Sequence, residues 1–375
     1  MARQNRMDIF DHDEVGVYHC VQRAVRRAWL CGLDPLTGKS FEHRREWIQE
    51  KLKELAESFG IDCLSFTVMV NHVHVILRNR PDVVATWSDE EVAKRWWQLF
   101  PLRRDKNHQP AEPTEFELTM YLQPKRLKEF RKRLVDISWW MRALAEPIAR
   151  RANKEDVCTG RFWEGRFKCQ KLTDETAILA CSAYVDLNPV RAGAAKTPEE
   201  SRYTSAYERI AAEQRSRGIS SAKEKKPIRM SRAQRRAVQS NQRTMKSSFR
   251  GDAWLAPIAI DEKSRSYKGA MPNLDGNRAS DKGFLAMTLE MYLKLLDWTG
   301  RQLRADHKRG RIPAELEPIL NRIGLSSEVW CDVVSRFGKI FKRVAGTPES
   351  LAREAKRRMH GYYQTSDSPL ASPAS

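Results

Sequence analysis

Val70-Asn71-His72-Val73-His74-Val75-Ile76-Leu77 constrains this chain more than any other stretch. Its β-branched and aliphatic residues favour a well-buried strand, and successive side chains of a strand point to opposite faces. His72 and His74 therefore share one face, roughly 6.5–7 Å apart along the backbone at about 3.3 Å per residue. Two imidazoles set into apolar surroundings need polar partners, because a buried polar group without a hydrogen bond is costly. Two readings stay open on these residues alone. The pair grips one cation, or both rings are packed and satisfied within the core.

The surrounding pattern is of mixed type. Residues 16–23 alternate as a strand, with Arg23, Arg26 and Arg27 at and just beyond its end. Residues 42–59 place Trp47, Ile48, Leu52, Leu55, Ala56 and Phe59 at helical spacing, and Gly60 closes that period. Residues 61–77 form a strand region with a hairpin expected before His72. A helical insertion at about 83–136 follows, containing Trp96 and Trp97 and reading as a lid or a brace. Residues 137–152 predict a core helix that Pro147 should kink or interrupt. Residues 161–171 alternate bulky and charged side chains as a strand does. Thr173 suits the N-cap of the next helix, and Pro189 limits its far end.

Composition narrows the partner. Lys and Arg total 67 against 48 Asp and Glu, a formal net charge of +19, which favours a polyanion and makes nucleic acid the expected ligand. No apolar run approaches the roughly 20 residues that span a bilayer, and the N-terminus carries no apolar signal core, so a cytoplasmic protein without membrane partners is expected. The seven cysteines are scattered without a Cys-x-x-Cys pair, which predicts reduced, mostly buried thiols and argues against structural zinc. Residues 1–210 read as the catalytic domain and 211–283 as a basic, flexible linker, most basic over 212–250. A helical C-terminal domain over 284–362 and a Ser- and Pro-rich disordered tail over 363–375 complete the chain.

A second group of polar residues lies on the predicted helix that ends Tyr184-Val185-Asp186-Leu187-Asn188-Pro189. Tyr184 and Asn188 are four apart and so share a helix face, beside the small residues Ala177, Ala180 and Cys181. Tyr184 reads as a core aromatic or as a phenol reachable by substrate. Asn188 reads as a helix terminator or as an oxygen ligand completing a two-histidine metal site.

His-hydrophobic-His on a strand followed by Tyr-x-x-x-Asn-Pro on a helix resembles the single-tyrosine HUH transposases of the insertion-sequence-200 type, most closely the transposases associated with repetitive extragenic palindromes. The resemblance covers roughly residues 15–207. It rests on Tyr18-His19, Asn71-His72-Val73-His74, Gly160-Arg161-Phe162-Trp163-Glu164-Gly165-Arg166-Phe167 and the stretch from Tyr184 to Gly193. The order of motifs separates it from relaxases, whose tyrosine precedes the histidines. The chain has Met69-Val70-Asn71 where that family usually has Met-Pro-Asn.

The resemblance implies an α+β fold, a ferredoxin-like antiparallel sheet with helices on one face, here extended by the helical insertion and an all-helical C-terminal domain. It implies a metal-dependent enzyme that cleaves and rejoins single-stranded, hairpin-bearing DNA. Tyr184 would attack a backbone phosphate to give a 5′-phosphotyrosine. His72, His74 and Asn188 would hold Mg²⁺ or Mn²⁺, and on ligand softness Mn²⁺ fits at least as well. Arg23, Arg26, Arg27, Arg161, Arg166, Lys168 and Lys171 would line a DNA groove, with Phe162, Trp163 and Phe167 as stacking surfaces or as core. The expected location is cytoplasmic, on the nucleoid. A second copy of the chain is a candidate partner, since the tyrosine acts in its own subunit or in a neighbour's. Two rival readings are a catalytically silent DNA- or RNA-binding protein on the same fold and a metal-dependent hydrolase that activates water.

Overall fold

The fold was analysed in a computed structural model, which describes residues 10–25, 30–35, 37–106, 109–223, 251–260, 269–304, 311–357 and 370. The sequence 17–79 runs strand, helix, strand, strand: β1 (Val17–Arg23), α1 (Arg44–Ser58), β2 (Ile61–Val68) and β3 (His72–Asn79). Met69, Val70 and Asn71 form the turn of the expected hairpin, with the Met69 amide donating to the His72 carbonyl at 2.8 Å. The insertion then folds into α2 (Pro81–Val84), α3 (Asp89–Leu99), α4 (Glu115–Tyr121) and α5 (Pro124–Leu134). The long α6 (Ile137–Glu155) follows, then β4 (Lys168–Leu172), α7 (Glu175–Asp186), α8 (Asn188–Arg191) and α9 (Ser205–Lys223). Beyond them lie α10 (Leu289–Leu303), α11 (Glu317–Arg322), α12 (Ser327–Ile340), β5 (Val344–Ala345) and α13 (Pro348–Arg357).

The strands form one five-stranded sheet in the order β2-β3-β1-β4-β5, antiparallel except for the β4·β5 pair. Register decides what each face carries. Val17, His19, Val21 and Arg23 of β1 lie opposite Arg78, Ile76, His74 and His72 of β3. Val17, His19 and Val21 lie opposite Leu172, Gln170 and Lys168 of β4. Directly paired residues share a face, so His19, His72, His74, Arg23, Lys168 and Gln170 all emerge on one side.

Helices cover both faces, not one as expected. Tyr18, Cys20, Val73, Val75 and Leu77 join a core with α1 and α6, while Val17, Ile76 and Leu172 join a second core with α7, α10 and α12. The cause is in β3 itself: Val73, Val75, Ile76 and Leu77 are all buried, so neither face of that strand can be left to water. The insertion braces the first side, where Trp96, Trp97, Tyr121, Leu127 and Phe130 enter the core of α1 and α6.

Pro147 lies within α6 without interrupting it. Local expectations fail in three informative places. The strand expected at 161–171 shrinks to β4; ahead of it, Trp163 makes only an isolated bridge to Ala24. Asp174 rather than Thr173 caps α7, accepting from the Ala177 amide at 2.8 Å. Thr173 instead donates from Oγ1 to the Ala345 carbonyl at 3.0 Å, beside Gly346, where a Cβ would come within 2.0 Å of Thr173 Oγ1. Finally, residues 205–223 form α9, so the part of the proposed linker before 224 is helical. Residues 224–250, and the tail apart from Leu370, lie outside the described residues. No disulfide joins the cysteines, four of which are buried, and no described helix is long and apolar enough to cross a membrane.

Candidate functional site

Strand register and the end of α7 meet at one place. His72, His74 and Tyr184 line a cavity of about 150 Å³ together with Val21, Arg23, Glu164, Gly165, Arg166 and Lys168. The His72 and His74 ring centroids are 4.7 Å apart, and the Tyr184 ring lies 5.6 Å from His74 and 6.0 Å from His19. The chain thus brings a two-residue motif of β3 beside a tyrosine more than a hundred residues later.

Hydrogen bonds orient the imidazoles. His72 Nδ1 lies 2.6 Å from Asn71 Oδ1; since a carboxamide oxygen only accepts, His72 donates from Nδ1 and keeps an unprotonated Nε2. His74 Nδ1 lies 2.9 Å from His19 Nε2, and His74 Nε2 is buried with no hydrogen-bond partner. Such an orphaned nitrogen suits a cation, and imidazole ligands characteristically carry a hydrogen bond on the nitrogen away from the metal. Two imidazole nitrogens therefore fit a transition-type divalent ion. Among the described residues no cluster of three His, Cys, Asp or Glu side chains is arranged to enclose one. Two protein ligands would leave most of such an ion's shell to water.

Burial sets the charge of the cluster. It pulls His19 and His72 down to about 4, with a neighbouring His72 charge adding to the shift of His19 and Arg23 and Arg191 adding to that of His72. It holds His74 well below the usual imidazole range, helped by His19, His72 and Arg191. All three rings are neutral at neutral pH. In the unfolded chain they take up protons near the ordinary imidazole value of about 6.5, so stability is full above that value and falls as the pH drops toward 4. At pH 5 the expected loss is roughly 2 kcal/mol each for His19 and His72. Asp186, whose buried carboxyl is pushed up, works in the opposite sense and offsets part of it. Denaturant midpoints at pH 7 and pH 5 test this; an equal or higher midpoint at pH 5 would refute it.

Tyr184 is held from several sides. The Arg191 guanidinium lies 4.3 Å from its ring centroid and donates to the Tyr184 carbonyl at 3.4 Å. Phe337 of α12 packs at 5.8 Å. Gly338 follows it, and a Cβ there would come within 2.8 Å of the Tyr184 hydroxyl, so only glycine leaves that oxygen its room. The α12 helix packs along α7, and Asp174 at the start of α7 holds the start of α13 by accepting from the Thr347 amide at 2.6 Å and from Ser350 Oγ.

Not every expected residue joins the site. Asn188 is buried as the first residue of α8, past a break at Leu187, and does not line the cavity. Arg23, Arg166 and Lys168 rim the cavity, whereas Arg161 is exposed on the preceding loop and does not. Lys171 is three residues from Lys168 and so emerges on the other face of β4, where it pairs with Glu354 at 2.8 Å. Its charge is engaged inside the fold. Arg26 and Arg27 lie outside the described residues. Phe162 and Phe167 are buried, Phe167 stacking on Phe10, and Trp163 donates from Nε1 to the Ala145 carbonyl at 2.7 Å, so these aromatics serve the core. His19, Arg191, Phe337 and Gly338 are the neighbours that sequence reasoning did not single out for the site. His19 and Arg191 lie in stretches that carry the family resemblance, whereas Phe337 and Gly338 carried no local signal of the site.

No protein-family model matches the chain, and neither does any curated protein. Among solved structures, that of a REP-associated tyrosine transposase bound to a REP hairpin is similar over 52% of this chain and 79% of that one, at 11% identity and a TM-score of 0.31. A likeness that loose transfers no residue roles, which rest on the geometry above.

Proposed function

We propose that the chain is a single-stranded DNA strand transferase of the tyrosine transposase type, working on hairpin-bearing DNA. One observation carries the reading: the imidazoles of His72 and His74 and the phenol of Tyr184 line one small cavity with a cationic rim, and His74 Nε2 meets no partner in the fold. The β2-β3-β1-β4 order, with α1 and α6 packed on one face, supports a ferredoxin-like core.

In the proposed reaction the Tyr184 oxygen attacks a backbone phosphorus. The P–O3′ bond breaks, the phenol's proton ends on the departing 3′ oxygen, and the phosphate stays on Tyr184 as a 5′-phosphotyrosine. Reversal with another 3′-hydroxyl rejoins the strand without an external energy source. His72 and His74 would hold Mg²⁺ or Mn²⁺ through Nε2, with Asn188 of α8 as the candidate oxygen ligand. A bound ion would neutralise charge building on the phosphoryl oxygens. Arg191 stands over the Tyr184 ring, a positive charge beside a phenol that must shed its proton. Phe337 packs against the ring, and Gly338 leaves room for its oxygen. Tyr184 lies beside His74 of its own chain, which supports action within one subunit.

Arg23, Arg166 and Lys168 would track the backbone of the incoming strand. Replacing any one by Ala should lower the slope of log affinity against log salt by about 0.7, and all three by about 2. Fluorescence anisotropy on a hairpin oligonucleotide reads this; an unchanged slope in the triple variant removes these residues from the interface. The decisive experiment incubates the protein with such an oligonucleotide and Mn²⁺ or Mg²⁺ and maps any covalent adduct by mass spectrometry. An adduct on Tyr184 supports the reading. Cleavage without an adduct would point to hydrolysis by activated water, and binding without cleavage to a silent binding protein; each overturns it.

A further inference from the structure

We propose that His19 is a positioning residue: together with Gln170 it locks His74 into the tautomer that presents an unprotonated Nε2. The inference follows from cross-strand register. Gln170 lies directly opposite His19 in the β1·β4 pair, and its Oε1 is 3.4 Å from His19 Nδ1. The oxygen only accepts, so the hydrogen is on His19 Nδ1. In a neutral ring the other nitrogen is then an acceptor, so the 2.9 Å contact between His19 Nε2 and His74 Nδ1 takes its hydrogen from His74. His74 is left with a lone pair on Nε2, the buried atom that meets no partner in the fold. The opposite tautomer would aim a lone pair of His19 at the Gln170 oxygen and leave a buried N–H on His74 without an acceptor, two penalties at once.

The geometry leaves little freedom to change this. The His19 and His74 rings are nearly parallel, 8° apart, with centroids 5.1 Å from each other, and both side chains are buried. His19 sits diagonally across from His74 on the same sheet face, since His74 pairs with Val21. The relay Gln170, His19, His74 thus runs across three adjacent strands. Asn71 does the same for His72 by a shorter route, from the neighbouring turn residue.

The tautomer does not depend on the function proposed above; only the identity of the ion that meets Nε2 does. The test uses the full-length protein with ¹⁵N-labelled histidine, read by long-range ¹H–¹⁵N correlation at neutral pH without metal, then titrated with Mn²⁺ while free Mn²⁺ is followed by electron paramagnetic resonance. The expected result is His74 protonated at Nδ1 and bare at Nε2. His19→Phe and Gln170→Leu should each weaken Mn²⁺ binding by about 10- to 100-fold. Gln170→Glu, which keeps an oxygen acceptor, should restore most of it. A His74 protonated at Nε2 in the unaltered protein overturns the proposal, as does unchanged Mn²⁺ affinity in both loss variants. Should His19→Phe fail to fold, the unaltered spectrum and Gln170→Leu still decide. The expected tautomer with no Mn²⁺ binding would support the relay and strike the metal centre instead.

Discussion

Tyr184→Phe should abolish the covalent DNA adduct and lower strand cleavage by about 10³-fold or more, while hairpin affinity changes by less than about twofold. The substitution removes one oxygen and keeps the ring. Packing against Phe337 at 5.8 Å and Arg191 at 4.3 Å survives, so the fold and the cationic rim should survive with it. The one atom lost is the hydroxyl oxygen, which occupies the space that the missing Cβ of Gly338 leaves open. That asymmetry makes the test clean: activity and binding separate only if the oxygen itself is the nucleophile. The readouts are a denaturing gel for the adduct, peptide mapping for its position and anisotropy for affinity. An undiminished adduct in the Phe variant would show that another group attacks and would end the assignment. Equal loss of binding and cleavage would instead mean that Tyr184 matters for holding DNA.

The histidine pair was legible because strands have a period of two. Nothing beyond the spacing of His72 and His74 was needed to put them on one face. His19 was not legible in the same way, because its role comes from register. That it stands opposite Gln170 and diagonal to His74 depends on how β1 pairs with both neighbours, and a single strand's sequence does not state its pairing. The same periodicity, applied to β4, would have separated Lys171 from Lys168, three positions apart. Charge alone grouped them, and the structure puts Lys171 against Glu354 on the far face.

Aromatic and helical signals misled for a different reason. Phe162, Trp163 and Phe167 are adjacent to cationic residues in sequence, but side chains in an irregular segment take their direction from what they pack on, here Phe10 and the Ala145 carbonyl. Asn188 is four residues from Tyr184, which on one continuous helix would align them; the break at Leu187 gives Asn188 a new helix and a buried setting. The largest gap between sequence and site is α12. The sequence predicted a helical domain there, but nothing in it announced that α12 would share a core with α7 or that Phe337 and Gly338 would meet Tyr184.

Asp62→Ala should cost about 3–5 kcal/mol of stability, the largest effect expected of any substitution away from the cavity. Asp62 is fully buried between two arginines that are also fully buried. Arg78 donates to its Oδ2 from Nε at 3.0 Å and Nη2 at 2.7 Å, and Arg80 Nη1 lies 3.4 Å from the same oxygen. The Ser280 amide and hydroxyl also donate to the carboxylate, at 2.9 and 2.7 Å. Removing it leaves two guanidinium charges in the interior facing each other, with Asp82 still paired with Arg80. Burial already pulls Arg78 below the ordinary guanidinium range even with Asp62 present, so the site has no slack for a lost anion. The same carboxylate anchors the 269–283 segment, because Arg78 also donates to the Lys282 and Gly283 carbonyls and Arg80 to that of Gly269. Losing Asp62 should therefore loosen that segment first. Urea denaturation gives the magnitude, and hydrogen exchange followed by mass spectrometry gives the location. Asp62→Asn, which keeps the shape and one acceptor oxygen but not the charge, should fall between. A loss below about 1 kcal/mol in Asp62→Ala would mean that water reaches the arginines and that the cluster is wetter than its burial implies.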